Sequence, residues 1–521
     1  MRPGGLLDGF PIHLLAGEDA DAPVVVLDAI DLGRLVVAPV PGAGAKSIAL
    51  SRELAALRAT REGWDDALAP APLLVCADPA HPPFRDASIG GLVGREDAAE
   101  RWSGCLGARG FRAVVETPGE WNSTPSDRTT TWIRPASGRE YFATSSWNPR
   151  RWPFASIQLG RARQAELIVS RLLSRLPLSR LHDGVRLRVA GNTTSRLDAW
   201  WARDADRSDA TGLFVKVAWN ALLFGADAGR RIAKFPLIDV AAARMQEHAT
   251  NLASLDVDTV VAKFVPHVLE RGSAAGQEFQ VENVCAGAPA TRVPWWPRPG
   301  GWGAAWKRTA ATEAVAFLLD LHAESQCDTT ISRDLFEQFL KPQIDVIERD
   351  ARRLEASFQL TDLCAALWSV FGDRVVPLVR THGDFWPGNL LVDRAGHLTG
   401  VLDWDASAER GWPLLDLLQL LAFQHKRRAF WHFGATLDKR LAPRRLAPFE
   451  DALAAQYCGR LGIPLEDWSA YVALYWLERA SQWLVTDFHE GKRNDGWLRR
   501  NVLDAKAPLL ERLRASGAGA S

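Results

Sequence analysis

The chain has 521 residues, more than one hydrophobic core organises, so two or three domains are expected. Apolar residues make up 47% and charged residues 24%, which excludes a mostly disordered chain. Lys+Arg and Asp+Glu both number 62, so the net charge is zero and the overall basic excess of a nucleic-acid binder is missing.

Residues 1–160 read as an α/β unit. Short buried strands are predicted at Val24–Leu27, Leu35–Val40, Leu73–Cys76 and Phe111–Glu116, with a helix over Ser47–Arg58. Thr129–Ile133 and Tyr141–Ala143 read as a closing hairpin. No long apolar core of a signal peptide stands at the start. The segment Gly42–Ser47 follows a strand as a phosphate-binding loop does, but Val40 and Ala45 occupy positions where that motif needs glycine. It reads as a tight turn.

A linker helix is predicted over 161–177, ended by Pro177. A β-rich stretch over 178–284 follows. Leu213–Trp219 and Arg231–Phe235 are expected to pair through the turn Gly225–Gly229, with a helix over Val240–Leu255 and further strands at Val265–Glu270 and Phe279–Val284. Residues 285–515 read as mainly helical, and 516–521 as a disordered tail. The apolar run Leu414–Phe423 is too short to span a bilayer and carries Asp416. The six cysteines are scattered, with no CxxC pair, as in a reducing compartment. A cytoplasmic protein with no membrane and no nucleic-acid partner is expected.

The informative segment is Thr381–Asp405, THGDFWPGNLLVDRAGHLTGVLDWD. A strand runs into His382-Gly383-Asp384, and a loop with Pro387-Gly388 leads to Asn389. The strands Leu390–Val392 and Leu398–Leu402 follow, joined by the turn Asp393–Gly396, with Asp403 at the end. Phosphoryl transfer needs a carboxylate to hold the attacking hydroxyl, hard oxygen ligands for Mg²⁺, and a cation for the remaining phosphate charge. An Asp five positions before an Asn, with a hairpin returning a second Asp beside it, meets the first two needs.

This segment resembles the catalytic core of the aminoglycoside phosphotransferase and choline kinase family, with its HGDxxxxN loop and following Asp-Trp turn. The resemblance implies a catalytic role for Asp384, Mg²⁺ ligation by Asn389 and Asp403, loop bracing by His382 and a structural role for Asp416. Leu321-His322 ends a helix as that family's Leu-His helix does. The implied fold is an α+β, protein-kinase-like bilobal one, with a β-rich lobe over 178–284 and a mainly helical lobe over 285–515, preceded by a separate α/β domain. The implied reaction moves the ATP γ-phosphoryl group to a hydroxyl of a small molecule: a sugar, amino alcohol, antibiotic or related metabolite. The rival readings are a weak pseudokinase, or a nucleotide-binding accessory to an N-terminal group-transfer domain.

In such a lobe a strand Lys meets the phosphates and a helix Glu orients it. Glu247 is the predicted Glu. Lys234, thirteen positions before it, is the preferred Lys, with Lys216 as the alternative. Asn192, Thr193, Thr194 and Ser195, after Gly191, resemble a phosphate cradle. Asp78–Asp86 resembles a stretch of class I methyltransferases, although their glycine-rich cofactor loop is not recognisable in 1–160.

Overall fold

The computed structural model describes residues 231–236, 239–255, 259–274, 277–291, 302–426, 433–489 and 494–517, together with the backbone of strands between Val24 and Phe224. Two compact units result, one of residues 1–246 with 267–284 and the other of 247–266 with 285–521.

The first unit holds a twelve-stranded sheet. Val24–Leu27 pairs in parallel with Leu73–Cys76 and Ile89–Gly94, and the latter with Leu106–Glu116. The remaining pairings are antiparallel, and Glu140–Ala143 pairs with Gly212–Lys216. Ile89–Gly94, sequence IGGLVG, was not expected as a strand, because its glycines remove the alternation that marks one. A second correction concerns the expected hairpin. Asn220–Phe224 lies between Gly212–Lys216 and Arg231–Pro236 and pairs with both, so Arg231–Pro236 pairs with a different strand from the one predicted; residues 225–229 lie outside the described residues. Ala49–Leu50, within the predicted Ser47–Arg58 helix, instead pairs as a strand with Leu35–Val36. The linker helix over 161–177 lies outside the described residues.

The Arg231–Pro236 strand is buried on both faces: Ile232, Ala233 and Phe235 are core, and only Arg231 and Lys234 are half-buried. It pairs with Gln277–Asn283, which pairs in turn with Val268–Ala274. The predicted helix over Val240–Leu255 forms as Asp239–Ala253.

The second unit is mainly helical. Its central helix, Trp468–His489, buries Tyr471, Leu474, Tyr475, Trp476 and Leu477. It packs against the helices Arg333–Ala351 and Leu415–Lys426. Phe371 links this core to the small sheets, with ring centroids 4.9 Å from Trp412 and 5.0 Å from Tyr471. The predicted short β segments form as Val375–Thr381, Leu390–Val392 and Leu398–Val401, joined by an unpredicted strand, Ala408–Gly411. Asp393 closes the predicted turn, its Oδ1 accepting from the backbone N–H of Ala395 at 2.8 Å and of His397 at 2.9 Å. Among the described residues no helix is long and apolar enough to cross a membrane.

Candidate functional site

The strand Val375–Thr381 delivers the His382-Gly383-Asp384 loop to one end of the small sheets. Gly383 has φ +76°, and a Cβ there would stand 2.1 Å from the Ala406 carbonyl oxygen. Only glycine combines that conformation with so close an approach.

The loop backbone is held from below. The buried carboxylate of Asp416, in the first turn of Leu415–Lys426, accepts the N–H of His382 at 2.7 Å and of Gly383 at 2.9 Å. His322 Nε2 faces the same carboxylate at 3.5 Å, and its Nδ1 meets the Tyr457 hydroxyl, which also accepts the Leu414 N–H at 3.2 Å. Burial pushes the Asp416 carboxyl up. The hydrogen bond from His322, with that from the His382 backbone N–H, more than offsets this and holds it below the ordinary carboxylate value.

His382 braces the loop from within. Its Nδ1 accepts the Asp384 N–H at 3.2 Å, so its Nε2 carries the proton and donates to the Leu402 carbonyl at 2.9 Å. Its ring lies 4.7 Å from that of the fully buried Trp404. Phe385 adds a stacked contact to Phe317, with centroids 5.9 Å apart. The Asp-Trp turn is gripped by the helix that also bears Glu247: the Trp404 N–H donates to His248 Nδ1 at 3.0 Å, and Asn251 Nδ2 donates to the Trp404 carbonyl at 2.8 Å.

Asp384 and Asn389 meet directly. Asn389 Nδ2 donates to the Asp384 carbonyl and to its Oδ2, both at 3.0 Å. Because both partners are acceptors, the amide nitrogen is fixed toward Asp384 and the amide oxygen faces away from it. Leu390 is registered with Val401, and the Leu402 N–H donates to the Asn389 carbonyl at 2.8 Å, so the hairpin returns Asp403 beside Asn389. Asp403 is exposed and has φ 61°, a left-handed conformation unusual for a residue with a side chain. An amide oxygen and a carboxylate are hard donors of the kind Mg²⁺ takes, so this pair fits such an ion.

Four groups donate to the Asp384 carboxylate, and sequence reasoning named only Asn389. Trp386 Nε1 donates to Oδ2 at 3.2 Å, Gln419 Nε2 to Oδ1 at 3.2 Å, and Arg479 Nη2 stands 3.0 Å from Oδ1. Arg479 is 7% exposed and also donates to the Gly383 carbonyl at 3.1 Å and to Gln482 at 2.6 Å. Tyr475 donates to the Gln419 side-chain oxygen. The sequence signal for Arg479 is a charged pair, Glu478-Arg479, in the middle of a mostly apolar helix.

Its half-buried neighbour Glu478 has a carboxyl pushed up to about 7, first by burial and then by the charge of Asp416, while Arg479 pulls it down. The unfolded chain therefore holds fewer protons than the folded one between about pH 4.5 and 7, so Glu478 costs stability as pH rises through that window. Glu478→Gln is expected to raise the thermal midpoint at pH 8 more than at pH 5, which a melting series across pH checks.

In the sheet unit, Lys234 Nζ pairs with buried Glu282 at 2.9 Å, and Glu282 also accepts from Gln280 at 2.6 Å. Glu247, the predicted partner of Lys234, is exposed. Asn192, Thr193, Thr194 and Ser195 lie outside the described residues, as does the side chain of Lys216. Trp476 is core, with its indole N–H donating to the Asn501 carbonyl at 2.8 Å.

Residues 220–474 match the model of the phosphotransferase enzyme family, APH. No curated protein matches the chain. Among solved structures, a candidate aminoglycoside phosphotransferase of Ralstonia eutropha JMP134 is 15% identical, with 62% of this chain and 98% of that one covered and a TM-score of 0.40. Aminoglycoside phosphotransferase APH(3'')-Id of Streptomyces rimosus is 20% identical, with 50% and 89% covered and a TM-score of 0.33. Macrolide 2'-phosphotransferase MphH of Brachybacterium faecium is 18% identical, with 57% and 90% covered and a TM-score of 0.34. Likenesses this distant say nothing about what this chain acts on. An antiparallel sheet segment with its helix, then a mainly helical unit carrying the HGD loop, is the kinase-like arrangement. The likeness to the phosphotransferase enzyme family thus rests on residues 220–474, the segment that carries the HGD loop.

Proposed function

We propose that this chain is a Mg²⁺-dependent phosphotransferase that moves the γ-phosphoryl group of ATP to a hydroxyl of a small molecule. The observation that carries the reading is the Asp384 carboxylate, 30% exposed and fixed by Asn389 and Arg479 where the loop opens. A carboxylate so held can accept the proton of a hydroxyl and aim its oxygen, and positioning of this kind supplies much of phosphoryl-transfer catalysis. Asn389 and Asp403 would hold Mg²⁺, which when bound neutralises charge on the phosphate oxygens. Lys234 is the proposed phosphate cation, with Glu247 as its helix partner and Asn192, Thr193, Thr194 and Ser195 as a backbone cradle. The Lys234–Glu282 pair supports a lysine held in a fixed position on its strand.

The test is ADP release across a panel of sugars, amino alcohols and antibiotics, with Mg²⁺ and with a chelator. An acceptor-dependent, chelator-sensitive signal is expected. Release that no acceptor stimulates would refute the reading.

A further inference from the structure

The Asp384 carboxylate is saturated. Oδ1 accepts from Gln419 at 3.2 Å and Arg479 at 3.0 Å, and Oδ2 from Trp386 at 3.2 Å and Asn389 at 3.0 Å. An ionised carboxylate offers about four acceptor positions. An incoming hydroxyl therefore has nowhere to donate until one N–H leaves.

The four donors are not equally free to leave. Arg479 is buried and tied to Gly383 and Gln482 as well. Gln419 is buried, with its oxygen engaged by Tyr475. Asn389 is buried, and the same nitrogen is held by the Asp384 carbonyl. Trp386 is half-buried, and its indole has a single N–H, spent on Oδ2. The ring rests on an apolar seat. A Cβ on Gly388 would stand 2.2 Å from it, and Phe423 lies against it with centroids 4.7 Å apart. Such a seat resists sliding far less than three anchored polar groups resist withdrawal.

We propose that Trp386 determines what reaches Asp384: its indole N–H holds the place of the acceptor hydroxyl on Oδ2 and yields it to an acceptor but not to water. This rests on Asp384 being the carboxylate that orients the acceptor. A bound acceptor brings contacts elsewhere that offset moving the ring, whereas a water molecule exchanges one hydrogen bond for another with no such gain. With the N–H removed, water can donate to Oδ2. Its oxygen then bonds to the γ-phosphorus as the bond to the β,γ-bridging oxygen breaks. ADP and inorganic phosphate result, and the water proton passes through Oδ2 to solvent.

The experiment needs no identified acceptor. The full chain is incubated with ATP and Mg²⁺ alone, and phosphate release is measured. Trp386→Phe keeps a flat apolar ring on the same seat and deletes the N–H, so release is expected to rise roughly tenfold over wild type. Phe423→Leu, which loosens the seat and leaves Trp386 in place, is expected to give a smaller rise. Rates at or below wild type in both variants would overturn the placeholder role. In Trp386→Phe combined with Asp384→Asn, release is expected to return to background. A rise that survives the second substitution would instead sink the assignment of Asp384, so the two failures are distinguishable.

Discussion

Asp384→Asn is expected to lower phosphotransfer by roughly 10²- to 10⁴-fold, the range for loss of a positioned general base. Asparagine keeps the shape but offers one acceptor oxygen where the carboxylate offers two. Whichever way its amide turns, its NH₂ faces a pair of donors: Gln419 and Arg479 on one side, or Trp386 and Asn389 on the other. Neither side can adapt readily, since the Gln419 oxygen is engaged by Tyr475 and the Asn389 nitrogen by the Asp384 carbonyl. A stability loss of about 1–3 kcal/mol should accompany the catalytic loss. ADP release and a denaturant titration on one preparation separate the effects. An unaltered rate would remove the proposed mechanism.

Asp416→Ala should do more to the fold than to any single chemical step. It strands the buried N–H groups of His382 and Gly383 and takes the carboxylate away from His322. Each stranded N–H costs about 1–3 kcal/mol, so the two together cost roughly 2–6 kcal/mol, a large share of a typical domain's stability. Asp416→Asn, which retains one acceptor oxygen, should fall between alanine and wild type. The folded carboxyl lies below its ordinary value, so its contribution is complete above about pH 4 and fades as pH falls through the folded value. The gap between wild type and Asp416→Asn should therefore narrow in acid. A constant gap in denaturation midpoint from pH 7 down to pH 3 would contradict the ion-stabilised account.

The residues that sequence alone could find share a property: their spacing is local. His382, Asp384, Asn389 and Asp403 sit on one loop and one hairpin, whose turn chemistry at Asp393–Gly396 is visible in the letters themselves. Arg479, Gln419 and Tyr457 act on the same loop from distant helices. Their roles depend on which helix faces pack together, and that is set by burial of Leu, Trp and Tyr side chains rather than by any short pattern. Trp386 stood inside the motif, but nothing in its spacing showed that its N–H would be spent on Asp384. Lys234 was found on its strand, whereas its partner Glu282 comes from a neighbouring strand 48 positions later, a pairing fixed only by sheet register. In the sheet unit the missed strands were glycine-rich or merged with a neighbour, where alternation gives no boundary.

The guanidinium of Arg479 has a practical consequence. The recognisable family segment stops at residue 474, five positions short of it. A boundary drawn by likeness alone would keep the whole HGD signature and discard the charge that sits against its aspartate. Any excision or graft of this segment has to carry the helix through residue 489, or it keeps the motif and loses the guanidinium held against Asp384.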